Sequence, residues 1–470
     1  MKKIYFVSKN AKKYAEIKEI LSDRFVVEEY PERIPELQVD QLDELIRNKA
    51  MEAFKIVKRP VVVEHTILIL DAFNGLPGMQ TSYFYEHMGY QKIYKKCKGN
   101  YKATVKSVFC LCDGKKFLIG EGKEKGKIVK PNTKVQESDA FDWDCIFVPK
   151  KDNPQKKTYA QMTLEEKNKR SMRRKAWEDL KKKNDTYLNV ICANNIGNDD
   201  SDKEFGELAR LIRQKKVMLF IGAGISASVN FPTWDGLIKD LGAMQGYEGD
   251  LFQCYGDNMM LAEYVKNKGF DQLSEMIQNK FQCTEEILQE LDNSEIYKNI
   301  LELEIPVIYT TNYDHLIEEF YRSHKQPYNR VVNIEDMSKI DPDSIRIMKF
   351  HGDIDYPDTI VLSESQYFKR MDFKSFMDIQ LQADMLQYHI LFLGYSLSDI
   401  NIKLLMYLAR MRHEGAKDMK AYIFTATPNQ IQKEVFKENN IITFSGECCD
   451  KKSGTSQFLT ELAKVVKYSD

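Results

Sequence analysis

Residues Lys216–Trp234 read KVMLFIGAGISASVNFPTW. Val217 to Ile221 make a continuous apolar run, the pattern of a strand buried on both faces. Gly222-Ala223-Gly224 follows at once, and a helix-compatible stretch runs on past Ser226 towards WDGLIKDL. Glycines at such a turn let the backbone approach a pyrophosphate lying over a helix N-terminus. Taken alone, a GxG after a strand is equally well a tight turn. Three later segments share its plan, however: IPVIYTTNYDHL with Asn312 and Asp314, MKFHGDID with His351 and Gly352, and HILFLGYSLSDINI with Gly394, Ser396 and Asp399. Each reads as a parallel strand whose C-terminal end delivers polar residues, which is where doubly wound sheets place their ligands.

Upstream, the chain opens on the same scheme. KIYFV is followed by a polar turn and then by AKKYAEIKEIL, whose apolar spacing is helical. Ser8-Lys9-Asn10-Ala11-Lys12-Lys13 begins that helix, so backbone amides, the helix dipole and lysine side chains can converge on phosphates. Between Asp185 and Lys203 the composition turns to Asn, Asp and Gly, the best linker candidate. The expected organisation is residues 1–185, a linker over 186–203, and residues 204–470. Strands alternating with helices in both halves predict α/β architecture with substantially parallel sheets.

A length of 470 residues is too much for one ordinary core at about 100 to 200 residues per domain. The 43% hydrophobic and 30% charged residues are those of a globular chain. With 69 basic against 70 acidic side chains, nothing favours bulk attraction to nucleic acid or to an anionic membrane, so any anion site must be local. No apolar stretch approaches the roughly 20 residues of a membrane span, and the opening residues lack the apolar core of a signal peptide. The cysteines have no CxxC spacing; Cys110 with Cys112, and Cys448 with Cys449, are the close pairs. Free thiols in a reducing, cytoplasmic setting are expected, without a zinc site.

Further motifs follow the opening of the chain in order: PELQ around Glu36, PVVVEHT around Glu64, FNGLPG from Phe73 to Gly78, FDWDCIFVP around Trp143, and EEKNKRSMRR around Lys167. Together they resemble, over residues 1 to about 183, the Ham1 or inosine triphosphate pyrophosphatase family. That resemblance implies a two-lobed α/β domain that removes pyrophosphate from non-standard purine nucleoside triphosphates with magnesium. It implies that Ser8, Asn10 and Lys13 hold phosphates, that Glu36 and Glu64 bind Mg2+, and that Phe141 stacks on the base. Asp144, Lys167, Ser171 and Arg173 would complete the base and phosphate contacts. Four positions depart from the family pattern. Its Glu-Asp pair is Glu64-His65, its Ser-His-Arg element is Ser171-Met172-Arg173, the glycine of Phe-Gly-Trp-Asp is Asp142, and Lys9 stands where glycine is usual. An imidazole offers magnesium no hard anionic oxygen, and losing a positioned base typically removes about 10² to 10⁴ in rate. The expectation is a domain that binds its nucleotide and hydrolyses it poorly or not at all.

The four C-terminal segments, in their order, resemble the SIR2 family from about residue 204 onward. By that resemblance Gly222, Ala223, Gly224 and Ser226 cradle the phosphates of NAD+, and Gly394 with Ser396 contacts them or the adenosine ribose. Thr310, Asn312 and Asp314 stand in the family's Thr-Gln-Asn-Ile-Asp element beside the nicotinamide ribose, and His351 matches the catalytic histidine. The residue types suit the chemistry. Cleaving the nicotinamide bond creates an oxocarbenium-like centre, so an amide can orient water while an imidazole takes a proton. The chain lacks the zinc-binding cysteines of deacetylating sirtuins, and Pro232-Thr233-Trp234 replaces Pro-Asp-Phe. Both departures fit SIR2-like NAD hydrolases better than protein deacylases. A helical insertion from about Gly242 to Asn299 would cap the cleft or join subunits into a homo-oligomer.

A Ham1-like unit fused to a SIR2-like unit resembles the partnership in Kongming-type antiphage defence. The reading is an NAD+ glycohydrolase switched on when the N-terminal domain binds a purine nucleoside triphosphate such as ITP or dITP. The alternatives are an active pyrophosphatase with a SIR2-like regulatory domain, an NAD-dependent protein deacylase, and a nucleotide-gated scaffold without chemistry.

Overall fold

The computed structural model describes residues 1–37, 39, 41–130, 142–193, 199–395, 403, 407, 419–427, 429–446 and 450–468. The chain forms two compact units, Met1–Ile196 and Gly197–Asp470. No helix among the described residues is long and apolar enough to cross a membrane. Cys110 and Cys112 are buried free thiols, while Cys448 and Cys449 lie outside the described residues.

The first unit has seven strands: β1 (Lys2–Val7), β2 (Phe25–Tyr30), β3 (Val61–Leu70), β4 (Pro77–Gly78), β5 (Lys102–Cys112), β6 (Phe117–Ile128) and β7 (Phe147–Pro149). Their order is β2-β1-β3-β5-β6-β7, with β4 beside β3. Only β2, β1 and β3 are mutually parallel. From β3 through β5 and β6 to β7 the pairing is antiparallel, which corrects the expectation of a substantially parallel sheet in this half. The cause is local. Asp113-Gly114 reverses the chain between β5 and β6, with Gly114 at φ +89° and Asp113 Oδ1 accepting from Lys115 N at 2.9 Å and Lys116 N at 2.8 Å. Turns of this kind join antiparallel neighbours, whereas a parallel pair needs a long crossover.

Helix Ala11–Leu21 starts on Asn10, whose Oδ1 accepts from Lys13 N at 2.9 Å. Its buried Ile17, Ile20 and Leu21 share a cluster with Trp177, Leu180, Leu188 and Ile191 of helix Met172–Ala193. That helix continues through residues 186–193, where a linker was expected, because Leu188 and Ile191 keep the apolar face going despite the polar composition around them. The next helix begins at Asp199.

The second unit holds β8 (Val217–Ile221), β9 (Val307–Thr310), β10 (Tyr328–Val331), β11 (Ile345–Lys349), β12 (His389–Leu393), β13 (Ala421–Thr425) and β14 (Ile441–Ser445). Their order is β10-β11-β9-β8-β12-β13-β14, and every pairing is parallel. Leu219 and Ile221 join one apolar cluster and Met218 and Phe220 the other, so β8 is buried on both faces as its unbroken apolar run requires. The chain leaves β8 for β9 on one side and later crosses to β12 on the other, making β8 and β12 the borders of the topological switch point. Helices from Trp234 to Glu302 fill the connection between β8 and β9, where the helical insertion was expected.

Helix Met172–Ala193 rests directly on β6, where a Cβ at Gly122 would overlap Met172 O and Ala176 N. Gly122→Ala should therefore destabilise the first unit by about 3 kcal/mol, the upper end for forced overpacking, read as a lowered urea midpoint of that unit. Gly206→Ala, mid-helix with open space around it, should instead stabilise the second unit by roughly 0.5 to 1 kcal/mol.

Candidate functional site

Register brings the second unit's chemistry together. Leu393 pairs with Ile221, Ile221 with Thr310, and Thr310 with Lys349, so four strands end at one level of the sheet. Gly222, Asn312, His351 and Gly394 follow those ends by one or two residues. A cavity of about 720 Å³ opens there, lined among others by Ala223, Gly224, Ser226, Asn312, Asp314 and His351. Gly394 also borders it, while Ser396 and Asp399 lie outside the described residues.

The glycines serve close approach. A Cβ on Gly222 would stand 2.7 Å from Gly394 O, and one on Gly224 2.8 Å from the same atom. Gly222 N donates to Leu393 O at 3.0 Å and Gly224 N to Gly394 O at 3.0 Å, so both amides are engaged in joining the two loops. Gly394 itself takes φ +60°, with no room for a side chain against Ile225 N. Gly222 lies behind the wall and does not line the cavity.

Asn312 Nδ2 donates to Ser226 Oγ at 2.8 Å, and Ser226 Oγ donates to Asp314 Oδ2 at 2.8 Å. Leu316 N donates to Asp314 Oδ1 at 3.1 Å. This chain orients the amide, and Asn312 Oδ1 is left buried with no hydrogen-bond partner among the described residues. Ser226, expected to cradle phosphates, thus lines the cavity between an amide and a carboxylate. Thr310, expected beside the nicotinamide ribose, is fully buried; it donates to Ile221 O at 3.1 Å and accepts from Asn312 N at 3.0 Å, holding the turn behind the residues that line the cavity. His351 is buried with Tyr367 edge-on at 5.4 Å, and Gly352 at φ +93° turns the chain away behind it.

Under these loops lies Lys349, wholly buried. Its ammonium donates to Asp314 O and pairs with Glu318 Oε1 at 3.3 Å and Asp353 Oδ2 at 3.6 Å. Burial lowers its pKa, but the charges of Glu318 and Asp353 outweigh that and raise it. His315, Asp353 and Asp355 form a group with metal-ligand character. Arg330 Nη1 already fills the cation's place there, 2.7 Å from Asp355 Oδ2 and 3.1 Å from His315 Nε2. Sequence reasoning missed Lys349, although a lysine closing an apolar strand two residues before His351 was a visible signal. Asp257, Asn258 and Met259, within the insertion expected to cap the cleft, form part of its wall; Tyr367, also in the wall, was not read from the sequence.

In the first unit the expected nucleotide residues fall into two groups. Lys13, Asp144, Lys167, Arg173 and Glu64 meet in one buried network through Glu16, which sequence reasoning overlooked. Arg173 Nη1 donates to Glu16 Oε2 at 2.6 Å and its Nε to Glu64 Oε1 at 3.0 Å. Lys167 lies 2.6 Å from Asp144 Oδ2 and 3.1 Å from Glu16 Oε2, and Lys13 is 3.2 Å from Glu64 Oε2. Glu16 stands three residues after Lys13 on the same helical face, a spacing that could have flagged it. The other group is engaged in local caps: Ser8 Oγ accepts from Asn10 N at 3.2 Å, Asn10 caps the first helix, and Ser171 Oγ accepts from Arg174 N at 3.2 Å. Phe141 lies outside the described residues.

The two carboxylates expected to bind magnesium are both countered by cations. Glu64 Oε1 accepts from Arg173, from Ser107 Oγ at 2.8 Å and from Thr66 Oγ1. Burial raises its pKa, yet Arg173 and Lys13 outweigh burial and hold it well below the carboxylate range. Half-exposed Glu36 has Oε1 2.6 Å from Lys49 Nζ and 3.4 Å from His65 Nδ1. The His65 hydrogen bond, with the charge of Lys49, keeps it ionised against partial burial.

The Ham1 family model matches residues 4–183 and that of the SIR2-like domain matches residues 306–444. The second match includes β9, β11 and β12 with Asn312, Asp314 and His351, and leaves the glycine loop after β8 outside. Inosine triphosphate pyrophosphatase 2 of Trypanosoma cruzi is 36% identical over 182 residues, covering 38% of this chain and 90% of that protein. A dITP/XTP pyrophosphatase of Methanopyrus kandleri is 34% identical over 183 residues, 37% of this chain and 93% of that protein. A solved HAM1 protein from Coxiella burnetii shares 25% identity over 39% of this chain and 98% of its own, with a TM-score of 0.33. Through its first unit the chain belongs to the Ham1 family, and its second unit carries a SIR2-like domain.

Proposed function

We propose that residues 204–470 hydrolyse NAD+ to nicotinamide and ADP-ribose, and that residues 1–185 gate this reaction by binding a purine nucleoside triphosphate such as ITP or dITP. The observation that carries the first half is that Asn312, whose buried Oδ1 has no hydrogen-bond partner among the described residues, lines one cavity with Asp314 and His351. A buried amide oxygen without a donor favours a water molecule or a ligand that supplies one. A water donating to Oδ1 has its oxygen oriented for attack on C1′ of the nicotinamide ribose. As the C–O bond forms, the glycosidic C–N bond breaks and its electron pair goes to the pyridinium nitrogen, which leaves as neutral nicotinamide. The proton lost by the water passes to His351. Asp314, a buried carboxylate fixed by Ser226 and Leu316, stabilises the positive charge developing on the ribose.

The Ham1 family membership, the buried cations Lys167 and Arg173 and the part-exposed Lys13 support nucleotide binding by the first unit. Gating needs differential affinity: turning a 1:99 equilibrium into 99:1 takes about 5.5 kcal/mol of preference for the active state. A setting in antiphage defence belongs to the same reading and rests on the pairing of the two domains. His65, in the position where a carboxylate was expected, supports binding over turnover.

Asn312→Ala and His351→Ala should each lower NAD+ consumption by about 10² to 10⁴, with thermal unfolding unchanged; wild-type turnover in either would remove the hydrolase assignment. In a chromatographic assay of NAD+ loss, the unmodified protein should be slow alone and at least tenfold faster with ITP or dITP, a difference of about 1.4 kcal/mol in barrier. Equal rates with and without nucleotide would end the gating role, and rapid pyrophosphate release would favour the pyrophosphatase reading instead.

A further inference from the structure

The charge balance around Glu36 and Glu64 is unusual for a magnesium site. Four carboxylates, Glu16, Glu36, Glu64 and Asp144, already face four cations, Lys13, Lys49, Lys167 and Arg173. Magnesium requires near-octahedral oxygen ligands and usually keeps one or two carboxylates with phosphates and water. Here the Glu64 side chain has no exposed surface, Arg173, Ser107 and Thr66 take its Oε1, and Lys13 stands against its Oε2. Glu36 carries Lys49, whose ammonium also donates to the backbone carbonyl of Glu64 at 3.3 Å. The third group within reach is an imidazole. The residues present are a poor fit for a divalent cation.

A second observation is independent of that tally. His65 is 7% exposed, and with Nδ1 on Glu36 its Nε2 is buried with no hydrogen-bond partner among the described residues. An unsatisfied buried polar atom costs about 1–3 kcal/mol, which a ligand oxygen can recover. Lys9 and Lys12 are exposed at the start of helix Ala11–Leu21, whose N-terminus favours anions.

We propose that this site binds its nucleoside triphosphate without a divalent cation, His65 donating through both ring nitrogens, Nδ1 to Glu36 and Nε2 to a phosphoryl oxygen, and the exposed Lys9 supplying further positive charge. The inference rests on the reading that the first unit binds such a nucleotide. Charge-assisted hydrogen bonds to phosphate take the place that a metal bridge would fill.

The test is equilibrium binding of inosine triphosphate to the full-length protein by calorimetry, in excess EDTA and in magnesium at matched ionic strength. Dissociation constants within about threefold of each other, under about 0.7 kcal/mol, are expected. Binding in magnesium that weakens by more than that in EDTA would overturn the inference. No binding in either buffer would instead remove the nucleotide reading beneath it. His65→Asp, which restores an oxygen ligand and removes the donor, should weaken binding in EDTA by about tenfold and regain it with magnesium. If that variant binds as the unmodified protein does in both buffers, His65 has no part in the site and the inference fails. Matching circular dichroism spectra establish that the variant is folded.

Discussion

The chemistry of the second unit depends on the register of four parallel strands. Because Leu393, Ile221, Thr310 and Lys349 stand side by side, residues far apart in the chain emerge at one level of one sheet edge. A slip of one residue in β9 would turn Asn312 to the opposite face and bury an unpaired amide in apolar packing. The two clusters on either side of the sheet enforce the alignment, since each strand places alternate apolar residues in each. At the switch point the constraint becomes steric. The loops after β8 and β12 cross so closely that Gly222, Gly224 and Gly394 each have neighbouring backbone where a side chain would be.

Below the loops, both units use the same device, a wholly buried cation joining carboxylates from distant segments. Lys349 links the turn after β9, through Asp314 O, to Glu318 on the following helix and Asp353 after β11. Arg173 links Glu16 on the first helix to Glu64 in β3. Such ion pairs contribute little net stability over an apolar replacement, because desolvation offsets attraction, but removing one partner costs about 3–5 kcal/mol. Their consequence is positional. Segments that would otherwise drift independently cannot separate without leaving a charge buried alone.

Much of this was legible in the chain because the polar residues that matter follow apolar strands directly. The glycine loop, Asn312, Asp314 and His351 could be placed at strand ends before any geometry was known. The antiparallel half of the first sheet was not read, since alternating strands and helices look alike whether their connections cross over or turn back. The signal that decides it, Asp113-Gly114 between two long strand-like runs, was present and passed over. Glu16, Lys49 and Lys349 escaped for a different reason. Charged residues with ordinary helical or strand-end spacing read first as solvated surface, and the spacing signals of Glu16 and Lys349 name no partner in another segment.

The adjacent residues Met172 and Arg173 show how a departure from a family pattern can redistribute a site's work. Met172 has no exposed surface and packs with Trp143, Ile146 and Tyr159, so the thioether belongs to the core and cannot reach a ligand. Arg173, one residue on, points about 100° around the helix and meets Glu16 and Glu64. The middle position of the family's Ser-His-Arg element thus carries no polar side chain here. What remains nearby is charge, in Lys13, Lys49, Lys167 and Arg173, each held against a carboxylate. On the proposed nucleotide-binding reading, discrimination among purines must come from residues outside this charged network.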